Sequence, residues 1–188
     1  LNWQRPSRVP VLTSGEPGSE REGLIYACRG LVSIRPGEWS IPYSQSPLSH
    51  NRARSHDELA KVQHRGYVGL ATWRQDGFMS LEAETEGRCT TMPATFTGSR
   101  LEINAWTRYG GEIRVELADA SEEGRGQSAK TIAGRTFEDC DPITGDHLKH
   151  TVTWKGQSDL SAWAGKPVRL RLQMRRARLY AFQFAGKE

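Results

Sequence analysis

Apolar and polar residues alternate with a period of two through much of the chain, the mark of strands buried on one face. Trp39, Ile41 and Tyr43 alternate with Glu38, Ser40 and Pro42. Leu101, Ile103 and Ala105 alternate with Glu102, Asn104 and Trp106, and Ile113, Val115 and Leu117 with Glu112, Arg114 and Glu116. Val168, Leu170, Leu172 and Met174 stand opposite Arg169, Arg171, Gln173 and Arg175; Tyr180, Phe182 and Phe184 stand opposite Leu179, Ala181 and Gln183. Residues 24–28, 31–34 and 151–154 read as further short strands. Residues 67–73 and 78–83 flank Gln75-Asp76-Gly77, where Asp-Gly supplies the positive φ of a tight turn, so this pair reads as a hairpin. Pro42 cannot donate to a ladder, which places its strand at a sheet edge. Helical patterning is confined to a turn at 57–62, inside a polar loop from 44 to 64, and a short capped turn at 159–163. The expected fold is all-β, an antiparallel β-sandwich of jelly-roll-like form.

Composition narrows the class. With 188 residues, 36% hydrophobic and 26% charged, the chain is sized for one domain or slightly more and is neither disordered nor membrane-embedded. No apolar run approaches a transmembrane span and residues 1–6 lack the apolar stretch of a signal peptide, so no membrane partner is expected. A net charge of +4 is only mildly basic. Arg169, Arg171, Arg175, Arg176 and Arg178 lack the interleaved aromatics of a nucleic-acid groove; they read as a solvated or docking face, and no nucleic acid is expected. Cys28, Cys89 and Cys140 are widely spaced with no CxxC pair, so buried free thiols are expected ahead of one disulfide and a spare thiol.

One set of residues carries a family resemblance. Gly111-Glu112-Ile113-Arg114-Val115-Glu116-Leu117, Phe137-Glu138-Asp139-Cys140-Asp141-Pro142-Ile143, Gly145-Asp146, Thr153-Trp154-Lys155-Gly156, Ala164-Gly165-Lys166-Pro167-Val168-Arg169-Leu170-Arg171 and Leu179-Tyr180-Ala181-Phe182 together resemble the carboxy-terminal β-sandwich of bacterial proteins related to glycoside hydrolase family 32. Gly23-Leu24-Ile25-Tyr26 and Trp39-Ser40-Ile41-Pro42-Tyr43 look like strands of the final blade of that family's propeller. The resemblance implies residues 1–64 as an extended, propeller-blade-like segment and 65–188 as the sandwich, the tail or a reduced relative of a longer protein. It also implies a propeller catalytic domain as a partner. The family's catalytic acids have no match: no WMNDPNG-type or RDP motif occurs, and Glu138-Asp139-Cys140 lies in the sandwich motif, so no catalytic residue is assigned.

Candidate chemistry is therefore that of binding. Sugar rings stack on aromatic platforms while their hydroxyls bond to amides and carboxylates, which points to Trp106, Tyr109 and Trp163 as platforms and Asn104 and Glu102 as polar partners. Glu138, Asp139, Asp141 and Asp146 offer hard oxygen ligands for a structural calcium, with Asp139, Asp141 and Asp146 as the ligand set; turn and capping carboxylates beside Pro142 and Gly145 are the simpler reading. His147 and His150 have the HxxH spacing, which brings side chains together on a helix rather than on a strand, so these two, like His50, His56 and His64, read as loop histidines. The expected function is a non-catalytic carbohydrate-binding or accessory module of a glycoside-hydrolase-like protein. A small glycoside or polysaccharide hydrolase and a purely structural interface domain are the alternatives. An exposed edge near Pro42 would favour a homo-oligomer.

Overall fold

The structure, a computed structural model, describes residues 8–16, 19, 21–47, 66–122 and 128–186. The chain divides into two compact units, Leu1–Arg74 and Gln75–Glu188. The fold is all-β, with two antiparallel sheets of three and five strands and no α-helix among the described residues. The helical turn expected at 57–62 and the histidines His50, His56 and His64 lie outside the described residues.

The first unit holds β1 (Leu24–Ala27), β2 (Glu38–Ser46) and β3 (Tyr67–Arg74), in the order β1-β2-β3. The strand carrying Pro42 is thus central, not an edge. A strand residue points its N–H and C=O to the same side. The Pro42 carbonyl accepts from the Cys28 N–H at 2.8 Å, just past the end of β1, so the missing donor faces the side where the ladder runs out. Residues 31–34 form no strand; Val32 makes only an isolated bridge with Ser40.

The expected hairpin across Gln75-Asp76-Gly77 does not form. Asp76 does adopt a positive φ of 53°, but β3 pairs with β2 over an eight-residue register, from Glu38↔Arg74 to Gln45↔Tyr67. Local turn propensity yields to this longer ladder, in which the Tyr43 ring covers Gly69 across the strands. A Cβ on Gly69 would fall 2.4 Å from the end of that ring, so a larger residue there would require the Tyr43 side chain to move. Among the described residues of this unit only Ser40 and Gln45 are buried, and Tyr26, Val68 and Leu70 are exposed.

The second unit holds β4 (Leu81–Thr90), β5 (Arg100–Asp119), β6 (Lys130–Thr131), β7 (Asp146–Thr151) and β8 (Val168–Ala185). Its order is β4-β8-β5-β6, with β7 also on β5. Four strands expected from the alternation are thus two long ones, since β5 and β8 each run through an interruption. Residues 108–111 bulge out of β5 between Thr107↔Ala177 and Glu112↔Arg175, against a single β8 residue, Arg176, at φ 47°. The stretch read as a strand at 151–154 is the end of β7 followed by bridges from Trp154 to Cys140 and Gln157. The short turn near 159–163 is a single 3-10 turn, Ser161–Trp163.

The alternation read from the sequence builds the core of this unit through β5 and residues 168–174 of β8; beyond Arg176 the phase changes, so that Ala177 and Leu179 are buried while Tyr180 is half-buried and Phe182 is exposed. Leu101, Ile103, Ala105, Ile113, Val115 and Leu117 of β5 meet Val168, Leu170, Leu172, Met174, Ala177 and Leu179 of β8 in one buried cluster. Irregular chain closes it with Ile132, Cys140, Ile143, Val152, Trp154 and Leu160, while Phe96 stacks on Phe184 at 3.8 Å between centroids. Between β7 and β6 the outer edge of β5 has no strand beside it. Its backbone is satisfied piecemeal: Ile113 exchanges bonds with Ile143, the Val115 N–H donates to Cys140 Sγ at 3.2 Å, and Trp154 Nε1 donates to the Val115 carbonyl at 2.8 Å. Three of the five arginines of β8 sit in cross-strand charge pairs: Arg178 to Glu82 at 2.9 Å, Arg175 to Glu112 at 3.5 Å and Arg171 to Glu116 at 2.7 Å.

Candidate functional site

A cleft of about 220 Å³ opens on the second unit where β7, β5 and β8 lie side by side. Asp76, Glu102, Asn104, Lys149 and Gln183 give it polar groups; Leu148 and Phe182, both partly exposed, give it apolar surface. Strand register places them. Glu102 sits opposite Gln183 of β8 and Thr151 of β7, and Asn104 sits opposite the small Ala181, which leaves space beside it.

Glu102 is buried, yet both its oxygens are engaged: Arg100 Nε donates to Oε1 at 2.8 Å and Gln183 Nε2 to Oε2 at 2.8 Å. These bonds, Gln183 first and Arg100 next, hold its carboxyl below the usual range, with the charges of Arg100 and Lys149 adding to the effect. Glu102 is an ionised acceptor at neutral pH. Asn104 Nδ2 donates to the Gln75 carbonyl at 2.7 Å, which fixes the amide in the cleft wall. An anchored carboxylate, two amides and an ammonium group around a small cleft, with Leu148 beside them, form a surface that can bond to several hydroxyls at once.

Of the five residues read as sugar contacts, Glu102 and Asn104 come together in this cleft and the three aromatics lie elsewhere. Trp106 is half-buried, with the Arg178 guanidinium 5.4 Å from its ring centroid. Tyr109 is 98% exposed on the 108–111 bulge. Trp163 packs on the core with Lys166 Nζ 4.9 Å from its ring. Gln183 comes to Glu102 only through the pairing of the start of β5 with the end of β8, while its neighbour Phe182 stands opposite Ile103 on the core face.

The acidic loop is occupied with its own chain. Asp139 bonds to Lys155 and accepts from Thr136 Oγ1 at 3.0 Å; Asp141 accepts from Thr153 Oγ1 at 2.6 Å and from the Gly156 N–H at 2.9 Å. These partners lower both carboxyls below their ordinary values. Asp146 instead opens β7, opposite Trp106. Among the described residues no three His, Cys, Asp or Glu side chains gather as a metal site.

All three cysteines are free thiols, but only Cys140 is buried; Cys89 is half-buried and Cys28, just past β1, is exposed, against the expectation of three buried thiols. Burial raises the Cys140 thiol, which stays protonated as a structural partner of Val115. No family model, curated protein or solved structure matches this chain.

Proposed function

We propose that this chain is a non-catalytic carbohydrate-binding or accessory module of a glycoside-hydrolase-like protein, with a sugar ring seated in the Glu102 cleft. The convergence of Glu102, Asn104, Gln183 and Lys149 beside Leu148 carries this reading. At about 220 Å³ the cleft is smaller than the roughly 300–1,000 Å³ of drug-sized pockets, which suits one ring with the remainder of a chain lying across the rim. Leu148 supplies the apolar contact in place of Trp106, Tyr109 and Trp163, Glu102 and Asn104 keep the roles read from the sequence, and no cofactor takes part.

The finer architecture belongs to the same proposal: a jelly-roll-like sandwich preceded by blade-like strands, as in the family 32 resemblance. The small antiparallel sheet of the first unit supports the blade reading. The second unit's sheet, whose one face is buried and whose other face carries charge pairs, supports the sandwich reading.

Two observations favour the alternatives. Asp76 places a second carboxylate at the cleft, as a hydrolase requires, although an ionised Glu102 suits an acceptor better than a general acid. The exposed Tyr26, Val68 and Leu70 on a sheet that buries no described apolar side chain favour an interface role for the first unit, such as docking on a propeller domain.

Affinity electrophoresis of the whole chain through gels of neutral and acidic polysaccharides tests the main reading. Retardation by at least one polysaccharide, abolished by Glu102→Ala and weakened by Leu148→Ala, is the expected result. Absence of retardation in every gel, or retardation indifferent to both substitutions, overturns it.

A further inference from the structure

The pairing of β7 with β5 contains an irregularity with a chemical consequence. Ile103 pairs with His150 and Ala105 with His147, so two steps along β5 match three along β7. One extra residue therefore bulges out of β7 between the histidines. In a regular strand, positions three apart point to opposite faces. The bulge cancels that difference and brings both imidazoles to one face, with ring centroids 4.6 Å apart and planes inclined by 54°. The HxxH spacing thus does on this strand what it ordinarily does on a helix.

We propose that His147 and His150 form a two-histidine chelate for a borderline divalent transition ion such as Zn²⁺, Ni²⁺ or Cu²⁺, with solvent completing the coordination. Two imidazoles bound to one ion at about 2.1 Å, with ligand angles of about 90–110°, hold their centroids roughly 4.5–5.2 Å apart. The observed spacing falls inside that interval. A second observation concerns the tautomer. His147 Nε2 lies 2.7 Å from the Thr144 carbonyl, an acceptor, so Nε2 carries the hydrogen and Nδ1 keeps a lone pair. Donation of the other ring N–H to a carbonyl is the outer-shell arrangement that orients metal-binding histidines. β7 pairs with β5 alone among the described strands, so both rings lie on an outer strand that solvent ions reach. The ion class follows from imidazole chemistry, which favours Zn²⁺, Ni²⁺ and Cu²⁺ over the calcium expected for the acidic loop. The proposal is independent of what the cleft binds.

The test is a titration of the whole chain with Zn²⁺ alone, in a non-coordinating buffer under reducing conditions, followed by the imidazole proton signals of the histidines. His147 and His150 are expected to shift together and saturate near one equivalent. His147→Gln or His150→Gln should weaken the binding at least tenfold, whereas a His50→Gln, His56→Gln, His64→Gln triple variant and a Cys28→Ser variant should leave those two signals responding as before. Melting curves confirm that each variant is folded. Failure of the His147 and His150 signals to move at millimolar Zn²⁺, or binding unaltered by either single substitution, overturns the proposal.

Discussion

Trp154 offers a quantitative test of how the second unit closes its core. The residue is 1% exposed, and its indole N–H is the donor to the Val115 carbonyl at the stretch of β5 that lacks a neighbouring strand. Trp154→Phe keeps most of the ring and removes that donor. The lost volume, about 40 Å³ at roughly 24 cal/mol per Å³, costs about 1 kcal/mol. A buried carbonyl left without its partner costs a further ~1–3 kcal/mol. The expected loss is therefore about 2–4 kcal/mol. Trp154→Ala adds the rest of the side chain, for which large-to-small aromatic changes cost ~3–5 kcal/mol before the orphaned carbonyl is counted. That is a large share of the ~5–15 kcal/mol typical of a whole domain. Urea titration followed by far-UV and near-UV circular dichroism measures both, with Tyr109→Phe, at a fully solvated position, as a control expected within ~0.5 kcal/mol of the parent. A Trp154→Phe loss no larger than that of the control would show that another donor reaches the Val115 carbonyl, and the account of the β5 edge would fall.

Four further outcomes follow from the same geometry. Arg171→Met strands the Glu116 carboxylate, which then keeps only Thr131, and frees the Ala129 carbonyl; a loss of about 1–3 kcal/mol, reduced from the figure for a fully buried pair by the partial exposure of Arg171, is expected in urea melts. Gly111→Ala puts a methyl 2.5 Å from the Arg176 carbonyl oxygen and should destabilise more than Gly110→Ala, which meets open space and has only the strain of a φ of 71°; comparing the two melting temperatures decides it. Glu102 and Asp119 have carboxyls lowered by hydrogen bonds from Gln183 and Arg100, and from Ser121. Their folded forms bind fewer protons than the unfolded chain, so their contribution is complete above the ordinary values of 4.5 and 3.8 and is lost as pH falls below them; a melting temperature that rises on acidification through that window would refute the assignment. Because Asp139 and Asp141 spend their oxygens on Lys155, Thr136, Thr153 and Gly156, millimolar Ca²⁺ should leave the melting temperature unchanged, and a calcium-dependent rise would restore the acidic loop as a metal site.

Period-two alternation made β5 and the first part of β8 legible because each buries one face: Leu101, Ile103, Ile113, Val115, Leu170 and Leu172 all reach the core that their spacing predicts. Continuity and partnership were not legible. The break between Ala105 and Glu112 looks like a loop in the sequence, but the backbone passes through it as a bulge and rejoins the same partner, β8. Asp76-Gly77 promises a local hairpin, yet β3 finds β2 instead, because ladder length outweighs the preference of one turn. The site followed the same rule. Glu102 and Asn104 were visible as polar residues on a strand, whereas Gln183 reaches Glu102 only through a pairing of residues about eighty apart in sequence.

The departures from ideal β geometry coincide with the chemistry. The bulge in β7 aligns His147 with His150, and it lies opposite the segment of β5 whose Asn104 lines the cleft. The residues between the two histidines, Leu148 and Lys149, line that cleft. A regular β7 would retain the ladder to Glu102 but would place the histidines on opposite faces and turn one of those two side chains away. Deleting one residue between His147 and His150 should therefore restore a regular register with the two histidines two apart and still on one face, so that Zn²⁺ binding persists while polysaccharide retardation is lost with the missing side chain of the cleft. Deletion of a residue from the exposed bulge at 108–111, far along β5 from the cleft, should spare both. If the β7 deletion left retardation intact, the cleft would not depend on the bulge, and the link drawn between strand irregularity and binding would be wrong.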